Sequence, residues 1–154
     1  MRAMQTRPKA QTAALMASPE DTEQQFYEAL QTADLERLMG VWAEEDEVSC
    51  VHPGGPRVVG LGAIRLAFAN VFSQGAINVH RERVRRLHTH DTAIHQVLER
   101  VHLSGPDGRQ QSAWVIATNV YLKTALGWRM VVHHASPGTA HDVQEVSEEA
   151  ATLH

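Results

Sequence analysis

The stretch Ala113-Trp114-Val115-Ile116-Ala117-Thr118-Asn119-Val120-Tyr121-Leu122 decides the fold. It reads as a strand, and alternation sorts its side chains onto two unlike faces. Ala113, Val115, Ala117, Asn119 and Tyr121 share one face and are smaller as a group than Trp114, Ile116, Val120 and Leu122 opposite. Small residues leave volume for a ligand. Large apolar residues on an open sheet need covering, which predicts a homodimer through the Trp114 face.

This strand is the third of four expected between Ala76 and Pro137, with turn signals at His90-Asp91, Ser104-Gly105-Pro106-Asp107-Gly108 and Thr124-Ala125-Leu126-Gly127. The four form an antiparallel meander. Upstream lie helices. Ser18-Pro19-Glu20-Asp21 is a strong helix start, with Ser18 as N-cap, Pro19 in the first turn and two acids at the positive end. Phe26, Ala29, Leu30 and Ala33 continue its apolar stripe, and Asp34 caps a second helix striped by Leu35, Leu38, Met39 and Trp42. Short strands are expected at Val48 to Val51 and at Val58-Val59, around the breaker His52-Pro53-Gly54-Gly55-Pro56. A third helix then buries Ile64, Ala67, Phe68, Val71 and Phe72. Helices first and strands later mark an α+β domain, its helices covering one face of a curved sheet.

Length and composition agree with one core. The chain has 154 residues, 43% hydrophobic and 21% charged, enough to fold as one globular domain without disulfides or a structural metal. Residues 1–17 read as a disordered arm, 18–137 as the domain and 138–154 as an acidic tail. Fourteen basic against eighteen acidic residues give a net charge of −4, which provides no global field for nucleic acid. No apolar run approaches the roughly 20 residues of a membrane helix. With a single cysteine, Cys50, nothing demands an oxidising compartment, and a cytoplasmic location is the expectation.

Three stretches carry a family resemblance. Phe26-Tyr27-Glu28-Ala29-Leu30, then Ala33-Asp34-Leu35 with Val41-Trp42-Ala43, and the closing Gly127-Trp128-Arg129-Met130-Val131-Val132-His133-His134-Ala135-Ser136 resemble, in order and spacing, the nuclear transport factor 2-like superfamily. The branch is the SnoaL-like and ketosteroid-isomerase-like one. The resemblance implies a cone-shaped fold, three N-terminal helices on a curved antiparallel sheet of four long strands plus one or two short ones. The open end of such a cone is a ready-made ligand pocket. The superfamily includes isomerases, dehydratases, cyclases, transport adaptors and oligomerisation hubs, so fold alone gives no reaction.

Ketosteroid isomerases carry a pocket Tyr, an Asp base before a Pro, and a later protonated Asp. Matching by spacing, these positions fall on Phe26, His52 and Asn119, so all three are changed. His52 remains a candidate general acid or base, since imidazole titrates near neutrality and Pro53 holds the backbone before it extended. Asn119 can donate a hydrogen bond to a carbonyl or enolate oxygen. Phe26, Tyr27, Trp42, Phe68, Glu99, Val115, Ala117, Tyr121 and His133 are the expected pocket residues. A carboxylate such as Glu99 inside an apolar cone would have a raised pKa; paired with an arginine on an exposed strand face, it would not.

Other patterns carry less. Arg81, Arg83 and Arg85 are expected on one strand face with Arg86 on the other. In the last strand His133 is expected to share a face with Val131 and Ala135, and His134 with Trp128. Among ten histidines, His88 and His90 are two apart and could share an ion, but no ligand spacing matches a zinc motif, so neither metal nor cofactor is expected. Cys50 and His52 share a strand face, where a thiolate pair competes with plain packing. The expected partner is a small apolar or carbonyl-containing molecule. Proton transfer next to a carbonyl is the chemistry these residues suit, and a non-catalytic binding or oligomerisation module is the alternative.

Overall fold

The computed structural model describes residues 15–139 and 145–148. Helix α1 spans Pro19–Thr32, α2 Leu35–Gly40 and α3 Leu61–Phe72, and the strands are β1 Ser49–Val51, β2 Arg57–Val59, β3 Val79–His88, β4 Thr92–Ser104, β5 Gln110–Thr124 and β6 Gly127–Gly138. The expected caps form: Asp21 N–H donates to Ser18 Oγ at 3.1 Å, and Arg37 N–H to Asp34 Oδ1 at 3.0 Å. Ala33 ends α1 in the left-handed region, which lets the chain reverse into α2.

The second helix is shorter than its apolar stripe. Trp42 lies beyond it, because the backbone there pairs with β6 instead: Met130 N–H donates to Val41 O at 2.8 Å, and Ala43 N–H to Met130 O at 2.9 Å. The core also begins earlier than Ser18. Met16 is buried and its carbonyl accepts from Trp128 N–H at 2.8 Å. The rest of the expected arm, 1–14, and most of the expected tail lie outside the described residues.

The sheet runs β2-β1-β6-β5-β4-β3, curved and unclosed. The meander is antiparallel as expected, but β1 pairs parallel with β6, Cys50 opposite His133. Parallel pairing needs a long connection, and here nearly the whole domain lies between the two strands. The helices cover one face, where Phe26, Tyr27, Leu38, Trp42, Ile64, Phe68 and Met130 are buried together. Truncating a ring such as Phe68 to alanine would cost about 3–5 kcal/mol.

Two bulges break the alternation on which sequence reading depends. Arg81 faces Glu99 and Arg83 faces Leu98, so Glu82 is an extra residue. Arg81 therefore stays on the covered face, along with Val84, Arg86 and His88, while Arg83 and Arg85 turn outward; the expected stripe of three arginines is divided. Likewise Val120 faces Val132 and Tyr121 faces Met130, leaving Val131 as the extra residue. Trp128 and Met130 then share the covered face with His133 and Ala135, correcting the placement of Val131 beside His133 and of Trp128 beside His134.

Candidate functional site

Helix α1 carries polar groups on its buried side. Glu23 and Tyr27, four residues apart, both point at the sheet, which answers with a row of polar side chains. His95, Asn119 and His133 lie directly opposite one another on β4, β5 and β6, and all three are buried. Glu99 lies four residues further along β4, opposite Val115 and Arg81.

Two networks result. In the first, Tyr27 Oη donates to Glu99 Oε2 at 2.6 Å, Asn119 Nδ2 donates to Tyr27 Oη at 3.1 Å, and His133 Nδ1 donates to Asn119 Oδ1 at 2.6 Å. In the second, Glu23 accepts from His95 Nδ1 at 2.6 Å, from Tyr121 Oη at 3.0 Å and from Arg81 Nη1 at 3.2 Å. The Arg81 guanidinium also lies 5.0 Å from the Tyr27 ring centre, joining the two.

The electrostatics of the two carboxyls diverge. Burial would raise Glu23, but the His95 hydrogen bond and charge, the Tyr121 hydrogen bond and the Arg81 charge outweigh it and hold Glu23 below its ordinary range. Glu99 has Arg81 opposite on β3, yet among the described residues no cation offsets its burial. Burial pushes it up to about 7, aided by the charge of Glu23 and opposed by the Tyr27 hydrogen bond. Tyr27 is driven well above 10 by burial and by the Glu99 charge, so it remains a donor. Burial, with the neighbouring His52 and His134, pushes His133 down to about 3. Its Nδ1 proton is committed to Asn119, which leaves Nε2 as the acceptor of a neutral ring.

The expected pocket residues Phe26, Tyr27, Trp42, Phe68, Glu99, Val115, Ala117, Tyr121 and His133 are all buried on the covered side. The Phe26 ring centre lies 4.9 Å from that of His133, the two rings tilted, and 6.2 Å from that of Phe68, which it meets edge-on. Trp42 Nε1 is buried with no hydrogen-bond partner among the described residues. The family match by spacing placed the isomerase tyrosine at Phe26; the phenol that enters the network is its neighbour Tyr27.

His52 and Asn119 are not brought together by a hydrogen bond. The His52 ring meets Phe68 edge-on at 4.8 Å, and its Nε2 faces Cys50 Sγ at 4.0 Å. Burial lowers the His52 pKa and raises the Cys50 thiol to about 12, so the pair holds a neutral thiol rather than a thiolate. Glu23, His95 and Arg81 were not among the expected site residues, Arg81 being expected only in the arginine stripe. Glu23 was detectable as an acid at apolar spacing, three residues before Phe26, and His95 as a face-mate of Glu99. Arg81 was hidden by the bulge.

A model of the SnoaL-like domain matches residues 20–140. No curated protein gives a significant match. Among solved structures, a protein from Thiobacillus denitrificans, provisionally described as a calcium/calmodulin-dependent protein kinase type II association domain, is 33% identical, with a TM-score of 0.73 over 81% of this chain and 98% of its own. A provisionally assigned dehydratase of the NTF2-like family from Streptomyces avermitilis is 32% identical, with a TM-score of 0.69 over 77% of this chain and 93% of its own. A ketosteroid isomerase-like protein from Erwinia carotovora atroseptica, at 18% identity and TM-score 0.63 over 82% and 96%, is a likeness of fold alone.

Proposed function

The chain belongs to the SnoaL-like domain family, and on that premise we propose that it binds a small carbonyl compound inside the cone and transfers a proton beside the carbonyl, with Glu99 as acid and base. The observation that carries this reading is the buried run Glu99, Tyr27, Asn119 and His133. A carboxyl pushed to about 7 is half ionised near neutrality, where it both takes and returns a proton efficiently. Asn119 Nδ2 has a second N–H for an enolate oxygen, beyond the one it gives to Tyr27, and the unpartnered Trp42 N–H is a further buried donor that a ligand oxygen would satisfy.

His52, the sequence candidate for this role, has no carboxylate partner among the described residues to orient it or raise its basicity. We assign it to the wall of the site, beside Phe68, as a neutral polar contact. The proton transfer uses only side chains of this chain, in the manner of an isomerase, cyclase or dehydratase. A panel of cyclic ketones incubated with the protein in D2O tests it: catalysed deuterium exchange next to the carbonyl, abolished in Glu99→Gln, is the expected result, and exchange no faster than buffer across the panel contradicts it.

The outer sheet face favours a second property, self-association. Leu87 and Ile116 are exposed there, on a surface the helices leave uncovered. We propose that a second copy of the chain covers it, in keeping with the association domain to which the Thiobacillus protein is likened. As a reading of the whole protein, a binding or assembly module keeps this face and dispenses with the proton transfer.

A further inference from the structure

Outside the proposed proton-transfer groups, three elements converge at one rim of the sheet. Glu20 lies in the first turn of α1, His88 ends β3 and His95 stands in β4. The Nε2 atoms of His88 and His95 are 2.8 Å apart, and Glu20 Oε1 lies 3.4 Å from the first and 3.9 Å from the second. A point equidistant from these three atoms lies about 2.0 Å from each, the ordinary length of a zinc bond to an imidazole nitrogen or a carboxylate oxygen.

The group behind His95 supports the same reading. Its Nδ1 is held by Glu23 Oε2 at 2.6 Å, which leaves Nε2, 2.8 Å from that of His88, as the ring atom turned to the cluster. A carboxylate behind a ligating histidine is the arrangement that orients metal-binding imidazoles and makes them better donors. Exposure grades across the cluster: the His95 side chain is 0% exposed, His88 38% and Glu20 44%, so an ion can enter from solvent and keep a position open to water.

We propose that Glu20, His88 and His95 form a binding site for one divalent transition-metal ion of the zinc type, with Glu23 as the positioning carboxylate behind His95. Two imidazoles and one carboxylate suit such an ion better than magnesium or calcium, which prefer oxygen throughout. Arg86 Nε stands 3.7 Å from Glu20 Oε1 and competes with the ion for that carboxylate. The site was not legible from ligand spacing, because its three residues come from separate elements and the pair singled out in the sequence, His88 and His90, contributes only one.

The test uses the full chain, freed of any purification tag and stripped with a chelator, titrated with zinc chloride in a calorimeter. One ion per chain is expected. His88→Ala and Glu20→Gln, both at exposed side chains, should each weaken binding at least about tenfold, while His80→Ala, which removes an imidazole elsewhere on the surface, leaves it unchanged. Absence of saturable binding, or binding indifferent to both cluster variants, overturns the proposal. Wild-type protein labelled with 15N gives a reading that depends on no variant. Zinc should shift the Nε2 signals of His88 and His95 and leave that of His80 in place; unshifted signals for the pair overturn the site as well.

Discussion

Tyr27 Oη stands 2.6 Å from Glu99 Oε2 and donates to it, a hydrogen bond that lowers the pKa of a carboxyl that burial has raised to about 7. Removing that bond should raise Glu99 further. Exchange or isomerisation activity that requires the ionised carboxylate should rise with pH and level off above about 7 in the wild type. In Tyr27→Phe the same profile should move to higher pH with a lower plateau. Glu99→Gln should lose about 10²–10⁴ of the rate at all pH values. Initial rates from pH 5 to 9 check all three outcomes.

Glu99 also carries a sign for stability. Its folded-state pKa is about 7 against an ordinary 4.5, so the folded chain binds more protons than the unfolded one between those values. Stability from this group is complete below 4.5 and is lost as pH rises through 7, by roughly 3 kcal/mol for a shift of this size. Urea unfolding of wild type and Glu99→Gln at pH 5 and pH 8 measures it: the variant should show the smaller loss between the two.

His133 acts with the opposite sign. Its pKa is pushed down to about 3 from 6.5, so the unfolded chain takes up the proton first as pH falls. The corresponding stability is complete above 6.5 and is lost progressively between 6.5 and 3. His133→Gln should be less stable at pH 8, through damage to the bond with Asn119, yet should have a shallower decline from pH 6.5 to 4. Thermal melts across that range read the slope.

The outer face gives a test of assembly. Ile116 is on β5 facing away from the helices, and a charge there should not disturb the core but should oppose burial against a second copy. Sedimentation should find wild type associated and Ile116→Glu shifted to the monomer with an unchanged circular dichroism spectrum. Equal sedimentation of the two would contradict the proposed interface.

Much of the fold was legible because its signals are local. Ser18 and Asp34 announce their helices by capping chemistry, and the face of Val115, Ala117, Asn119 and Tyr121 follows from simple alternation. The misplacements share one physical cause. At Glu82 and Val131 a single extra residue reverses the faces, and nothing in the local residue types marks either bulge. The site was half visible: Tyr27, Glu99, Asn119, Tyr121 and His133 stood among the expected residues, whereas their partners Glu23, His95 and Arg81 become partners only through the crossing of α1 over the sheet. The preference for His52 over Glu99 came from the family match to the residue before Pro53 and from the ordinary pKa of imidazole; burial lowers His52 and pushes Glu99 up to about 7, the shift expected of a carboxylate inside the cone.

The most direct test is a 13C carboxyl NMR titration of the glutamates, with the Glu99 signal assigned by its loss in Glu99→Gln, repeated in the presence of the cyclic ketone that shows the fastest exchange. A midpoint near 7 that moves when the ketone is added is the predicted result. A midpoint near the ordinary 4.5, unmoved by the ketone, would contradict Glu99 as the proton-transfer group.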